Sequence, residues 1–351
     1  MISLALLPNP TITTKCSFSA IFNFGASNAD TGGYSALLGQ VPPPNGETYF
    51  HTPSGRASDG RLIIDFIAES FGLPYLSAFL DSVGSNFSHG ANFATIKSSI
   101  RPSNTTVAQG GNSPISLDVQ FVQFSYFHKR SQILKKLGGV FEKLLSKGNY
   151  FSQALYTFDI GQNDLTAGYK LNMTTEQVKA YVPDVLDQFS DIIKCENGLQ
   201  VTCRKYMVKV EEYFGPFNEV AQYFNLRLKE ALAQLRKDLP EARITYVDIY
   251  AVKYTLITQA KKYGFEKPFI ACCGHGGKYN YNQKYYCGFK KTIGGEEIVI
   301  SNSCKDPSIR VNWDETHFTE AANEWVFNQI ASGSFTDPPI SLDMACQRMD
   351  N

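Results

Sequence analysis

Acyl transfer by a serine needs a hydroxyl, a base to take its proton, and donors for the oxyanion. Among the five histidines, His317 is the one with a carboxylate at a fixed short spacing, in Asp314-Glu315-Thr316-His317. An acid three residues before a histidine on one turn can hydrogen-bond the imidazole and hold its tautomer. A hydroxyl stands at the other end of the chain, in Gly25-Ala26-Ser27-Asn28, where an apolar run breaks at a glycine. A strand that stops at glycine and presents a serine exposes a nucleophile at the rim of an α/β sheet. The same residues also read as an ordinary strand-to-helix joint with Ser27 or Asn28 as a cap, and His317 as a helix-start histidine.

These residues need elements to position them. The aromatic run 18–24 predicts a buried strand, and residues 154–160 predict a second that also ends in a glycine, before Gln162-Asn163-Asp164. In an open parallel sheet, ligands bind at the carboxyl ends of the strands, so these two breaks are candidates to face one site. Residues 244–250 predict a third strand. Between Gly84 and Thr95, the small residues Gly90, Ala91 and Asn92 would let backbone N–H groups approach a ligand closely, or form a tight turn before a short strand.

Residues 30–34 read as a loop. Residues 62–71 have helical spacing, with Ser58 or Asp59 as cap. Residues 115–148 read as helical, with an apolar stripe of Ile133, Leu134, Leu137, Val140, Phe141, Leu144 and Leu145 packed on the sheet. Residues 175–240 read as mainly helical, with a core face of Leu228, Ala231, Leu232 and Leu235 and a stop at Pro240. A final helix starts near Thr319 or Glu320. Strands alternating with helices, without repeats or a dividing linker, predict a single α/β domain with a mainly parallel sheet.

The 351 residues carry 33 basic and 33 acidic side chains, and 43% are hydrophobic. The balance and the scatter of Lys and Arg argue against nucleic acid as a partner. No apolar run is long enough to span a membrane, so no stable insertion is expected. Eight cysteines, with sequons at Asn86, Asn104 and Asn172, point to the secretory pathway and to disulfides. Cys195 and Cys203 are a candidate local pair, and the adjacent Cys272 and Cys273 should take different partners. Cys272, Cys273, Cys287 and Cys304 match no common zinc spacing. The region 272–304 reads as a stapled, loop-rich excursion. Residues 1–15 read as a residual or weak signal segment before a domain over 16–351.

Four blocks in order resemble those of the GDSL esterase/lipase family, the SGNH hydrolases, and above all its large secreted plant branch. They are the segment 22–33 around Ser27, His89-Gly90-Ala91-Asn92-Phe93-Ala94, Asp159-Ile160-Gly161-Gln162-Asn163-Asp164, and Val311-Asn312-Trp313-Asp314-Glu315-Thr316-His317. Gly55-Arg56-Ala57-Ser58-Asp59-Gly60-Arg61 and the stretch from Ala271 to Asn280 resemble the plant branch too. The resemblance implies a three-layer α/β/α sandwich, SGNH or flavodoxin-like. It implies Ser27 as nucleophile, His317 as base and then acid, and Asp314 orienting His317. The oxyanion hole would combine the N–H groups of Ser27 and Gly90 with the Asn163 amide. A common α/β-hydrolase reading fits worse, because that fold carries its elbow in mid-chain and separates acid from histidine.

Three residues depart from the family pattern. Ala26 stands where the family name records an aspartate, Lys97 where the plant branch usually has a glycine, and Glu315 where a glycine usually lies between acid and base. Ala26 could weaken the loop, Lys97 could reshape the pocket, pair with a substrate carboxylate or point to solvent, and Glu315 could favour the imidazolium. The expectation is a secreted serine esterase, apoplastic or vacuolar, monomeric, acting on a small-molecule or glycan ester without metal or cofactor. An acyltransferase using the same acyl-enzyme, and a catalytically weakened binding protein, are the alternatives.

Overall fold

The computed structural model describes residues 15–102, 113–139, 145, 150–194, 205–209, 216–282 and 284–346. Five parallel strands form the body of the sheet: β1 (Ile21–Gly25), β2 (Gly90–Asn92), β3 (Leu155–Asp159), β4 (Lys205–Lys209) and β5 (Arg243–Val247). Their order is β2-β1-β3-β4-β5, and β8 (Thr336–Asp337) closes the β5 edge antiparallel. The order reverses between β1 and β3, the switch point at which open α/β sheets hold their ligands.

Alternation along the strands sends two sets of side chains to two faces. Phe22, Phe24, Tyr156, Phe158, Ile244 and Tyr246 pack on α3 (Leu117–Leu137), α5 (Thr175–Ile193) and α6 (Pro216–Asp238). Ile21, Leu155 and Val247 pack on α2 (Ile63–Ser70), α7 (Ile249–Thr258) and α8 (Glu320–Ala331). The architecture is the expected three-layer α/β/α sandwich. Two shorter helices, α1 (Gly33–Leu38) and α4 (Gln162–Lys170), begin just beyond β1 and β3.

Several local expectations are corrected. A helix starts at Gly33, inside the expected loop at 30–34. The cap of α2 is neither Ser58 nor Asp59; the backbone N–H of Leu62 donates to Asp65 at 2.8 Å instead. α3 stops at Leu137, where Gly138 takes φ +67. Its buried face is Leu117, Gln120, Phe124, Phe127 and Ser131, while Ile133 and Leu137 of the expected stripe are exposed. Leu145 is buried and bridges Phe87; Val140, Phe141 and Leu144 lie outside the described residues. Strand β4 interrupts the expected helical stretch 175–240, and β5 ends at Val247 because Asp248 caps α7.

Among the described residues there are three disulfides: Cys16–Cys346, Cys272–Cys304 and Cys273–Cys287. Adjacent Cys272 and Cys273 do take different partners. Cys195 and Cys203 lie outside the described residues. Within the stapled excursion, β6 (Lys290–Ile293) and β7 (Glu296–Val299) form an exposed hairpin. Asn86 and Asn172 are exposed, and Asn104 lies outside the described residues. Among the described residues, no helix is long and apolar enough to cross a membrane.

Candidate active site

β1 leaves the sheet at Gly25, and Ser27 opens a three-residue 3-10 turn at its carboxyl end. Polar side chains buried beneath the turn hold it. Asn23 donates to the Ala29 carbonyl at 3.0 Å, and Asn92 donates to the same oxygen at 2.7 Å. The Asp30 carboxylate accepts from the N–H groups of Gly32, Gly33, Tyr34 and Ile96 at 2.6–3.0 Å. Burial pushes the Asp30 carboxyl up, against the pull of these four donors. Gln120, fully buried on α3, grips Gly25 from both sides: it accepts from the Gly25 N–H at 2.9 Å and donates to its carbonyl at 2.8 Å. Asp30 lies within the block around Ser27 but had no role assigned to it, and Gln120 belongs to no sequence signal that pointed to the site.

The end of β3 meets this loop. The Ala26 N–H donates to the Asp159 carbonyl at 2.9 Å, and the Asn28 amide reaches Gln162 at 3.4 Å. Asn163, in the first turn of α4, donates its side-chain amide to the Ser98 carbonyl at 2.7 Å. Beside it, Asp164 is buried and accepts from the N–H groups of Ile100 and Arg101. Burial lifts its carboxyl to about 6.

Gly90 is not brought to Ser27. It pairs with Ile21, at the opposite end of β1, and its N–H donates to the Phe87 carbonyl at 3.3 Å. Four steps along β1 at about 3.3 Å each leave Gly90 roughly 13 Å from the level of Gly25, beyond which the Ser27 turn begins. Its glycine is required there for packing, because a Cβ would stand 1.8 Å from the Ile21 carbonyl oxygen. The chain beyond β2 reaches the rim instead. Phe93 donates to Asn23, Thr95 donates to Gly25, and Lys97 follows at φ +68. The N–H groups of Ser27 and Lys97 have no acceptor among the described residues.

Asp314 and His317 do meet. Asp314 Oδ2 lies 2.7 Å from His317 Nδ1, while Oδ1 accepts from the N–H groups of Thr316 and His317 at 2.8 and 2.7 Å. Burial pushes the Asp314 carboxyl up, but the His317 charge and these hydrogen bonds outweigh it and hold it below its ordinary value. The turn rests on Trp313, which packs among Cys272, Cys273 and Cys287 and donates Nε1–H to Asn45 at 2.9 Å. The loop 55–61 joins this turn to the serine loop. Gly55 packs against Gly32, Ser58 donates to the Phe318 carbonyl at 3.0 Å, and Asp59 accepts from the Glu320 N–H at 2.7 Å. The side chains first read as caps of α2 thus brace the residues that follow His317.

At Ala26, whose φ/ψ is extended, the 3-10 turn has no side-chain cap. Glu315 is exposed by area, yet burial and then the Asp314 carboxylate push its carboxyl up, against His317 and Lys97.

A sequence model described as GDSL-like Lipase/Acylhydrolase matches residues 21–330. The chain belongs to that family. A GDSL esterase/lipase of Arabidopsis thaliana is 59% identical over 355 residues, covering 95% of this chain and 93% of the relative. A GDSL esterase/lipase of Zea mays is 51% identical, covering 94% and 89%. An Arabidopsis protein named alpha-L-fucosidase 3 is 50% identical, covering 98% and 96%. As a GDSL-type protein, the chain is a carboxylic ester hydrolase. Its disulfides and its plant relatives are consistent with a secreted GDSL protein.

Proposed function

We propose that this protein is a secreted, apoplastic or vacuolar serine esterase that works through an acyl-enzyme on Ser27. The observation that carries the reading is the 2.7 Å contact of Asp314 with His317 Nδ1. With Nδ1–H held by the carboxylate, the tautomer places the ring's lone pair on Nε2, the nitrogen that takes a proton. Ser27 Oγ attacks the ester carbonyl carbon as Nε2 takes its proton. The tetrahedral oxyanion is received by the N–H groups of Ser27 and Lys97 and by the Asn163 amide, whose second hydrogen remains beyond its bond to Ser98. His317 returns the proton to the departing alkoxide. Water, deprotonated by the same nitrogen, then releases the acid and restores Ser27. Asp314 steadies the imidazolium that forms in both halves.

Lys97 replaces Gly90 as backbone donor because the register supports it and the fold engages the Gly90 N–H elsewhere. In this reading residues 1–15 are a residual or weak signal segment ahead of the domain 16–351. The test is turnover of short p-nitrophenyl esters. Ser27→Ala and His317→Ala should each lower kcat at least 10³-fold, because such groups act as a unit. Near-native turnover by a folded Ser27→Ala protein would overturn the reading.

A further inference from the structure

The segment carrying Lys97 is buried on both sides of it: Thr95, Ile96, Ser98, Ser99 and Ile100 are 0–8% exposed. Lys97 alone is exposed within it. Its backbone is pinned at the site from two directions, by the Ile96 N–H on Asp30 and by the Ser98 carbonyl under Asn163. The side chain therefore leaves the main chain at the site itself. Its φ of +68 is a conformation that costs a residue with a Cβ about 1 kcal/mol. Strain held at a site is a pointer to use. The ammonium makes no ion pair or hydrogen bond among the described residues. Glu315, on the turn between Asp314 and His317, is exposed as well, and the Lys97 charge pulls its carboxyl down against burial and the Asp314 carboxylate.

We propose that Lys97 determines specificity: its ammonium receives a carboxylate carried by the ester substrate near the scissile bond, and Glu315 competes for the same cation. A free ammonium on a flexible four-carbon stem suits an anion whose position varies between acyl and alcohol portions. The substrate class is thus a half-ester of a dicarboxylic acid or an ester of an acidic alcohol, such as a uronic acid. Glu315 keeps the cation partly neutralised until such a substrate displaces it. The proposal rests on Ser27 as the acylated residue.

The experiment compares p-nitrophenyl hemisuccinate with p-nitrophenyl butyrate, esters with the same leaving group and the same four-carbon acyl chain but different charge. The readout is the ratio of their kcat/KM values, from which any change in the backbone donor at residue 97 cancels. Lys97→Gln should lower the ratio about fivefold, the scale of a partly exposed ion pair. Lys97→Arg should preserve it, and Glu315→Gln should raise it two- to threefold. Added salt should lower the ratio in the wild type and not in Lys97→Gln. A ratio insensitive to Lys97→Gln and to salt, or lowered by Glu315→Gln, overturns the proposal. Loss of the Ser27 reading would show separately, as butyrate turnover that survives Ser27→Ala.

Discussion

Gln120→Leu tests the bracing of the serine loop. The side chain is 0% exposed and leucine is one heavy atom smaller, so the substitution removes both hydrogen bonds to Gly25 and a longer one to the Ile115 carbonyl at 3.5 Å while leaving little empty space. The Gly25 carbonyl keeps the Thr95 N–H at 3.2 Å. The Gly25 N–H has no other acceptor among the described residues, and an unsatisfied buried donor costs about 1–3 kcal/mol. The lost bond to the carbonyl adds about 0.5–1 kcal/mol, offset in part by burying an apolar side chain. The expected loss is about 2 kcal/mol in urea unfolding with the disulfides intact. Gly25 is two residues before Ser27, so the loss should also loosen the hydroxyl. We expect kcat to fall on the order of tenfold, with KM nearly unchanged, since misplacement of a reacting group acts on the chemical step. Unchanged stability together with unchanged kcat would refute the bracing role.

Asp314→Asn keeps an oxygen for the Thr316 and His317 N–H groups but no longer accepts from Nδ1–H. Kcat should fall about 10³- to 10⁴-fold in a folded protein, and a loss under tenfold in steady-state kinetics contradicts the assignment. Ala26→Asp supplies the missing side-chain cap of the 3-10 turn; it should raise stability by about 0.5–1 kcal/mol, and a lower urea midpoint would contradict this. Asp164, lifted to about 6 from 3.8 by burial, keeps a proton in the folded chain that the unfolded chain has already released. Folded stability should therefore fall as pH rises through that interval, by at most about 3 kcal/mol. Asp164→Asn should lack this fall, and equal pH dependence in both proteins would count against it.

The candidates Ser27, Asn163, Asp314 and His317 stand out in the sequence because their signals are local. Each lies at a strand end or within one turn, and the fold brings Asp314 and His317 together as their spacing requires. Gly90 misled because the block 89–94 runs the depth of the sheet. Only the pairing of Ile21 with Gly90 shows that the near end of the block lies far from Ser27 and that Lys97 reaches the rim. Gln120 had no signal at all: it contacts Gly25 across 95 residues, from what reads as one face of an ordinary helix. Ser58 and Asp59 looked like caps because a helix follows them, but their partners, Phe318 and Glu320, lie about 260 residues away. β4 escaped notice because lysines stand at both its ends, between two long helices.

Ser27 as the acylated residue is tested most directly by mass spectrometry after reaction with a fluorophosphonate. A single adduct should map to the peptide containing Ser27, vanish in Ser27→Ala and form far more slowly in His317→Ala. An adduct on another residue, or none on a preparation that turns over esters, would contradict it.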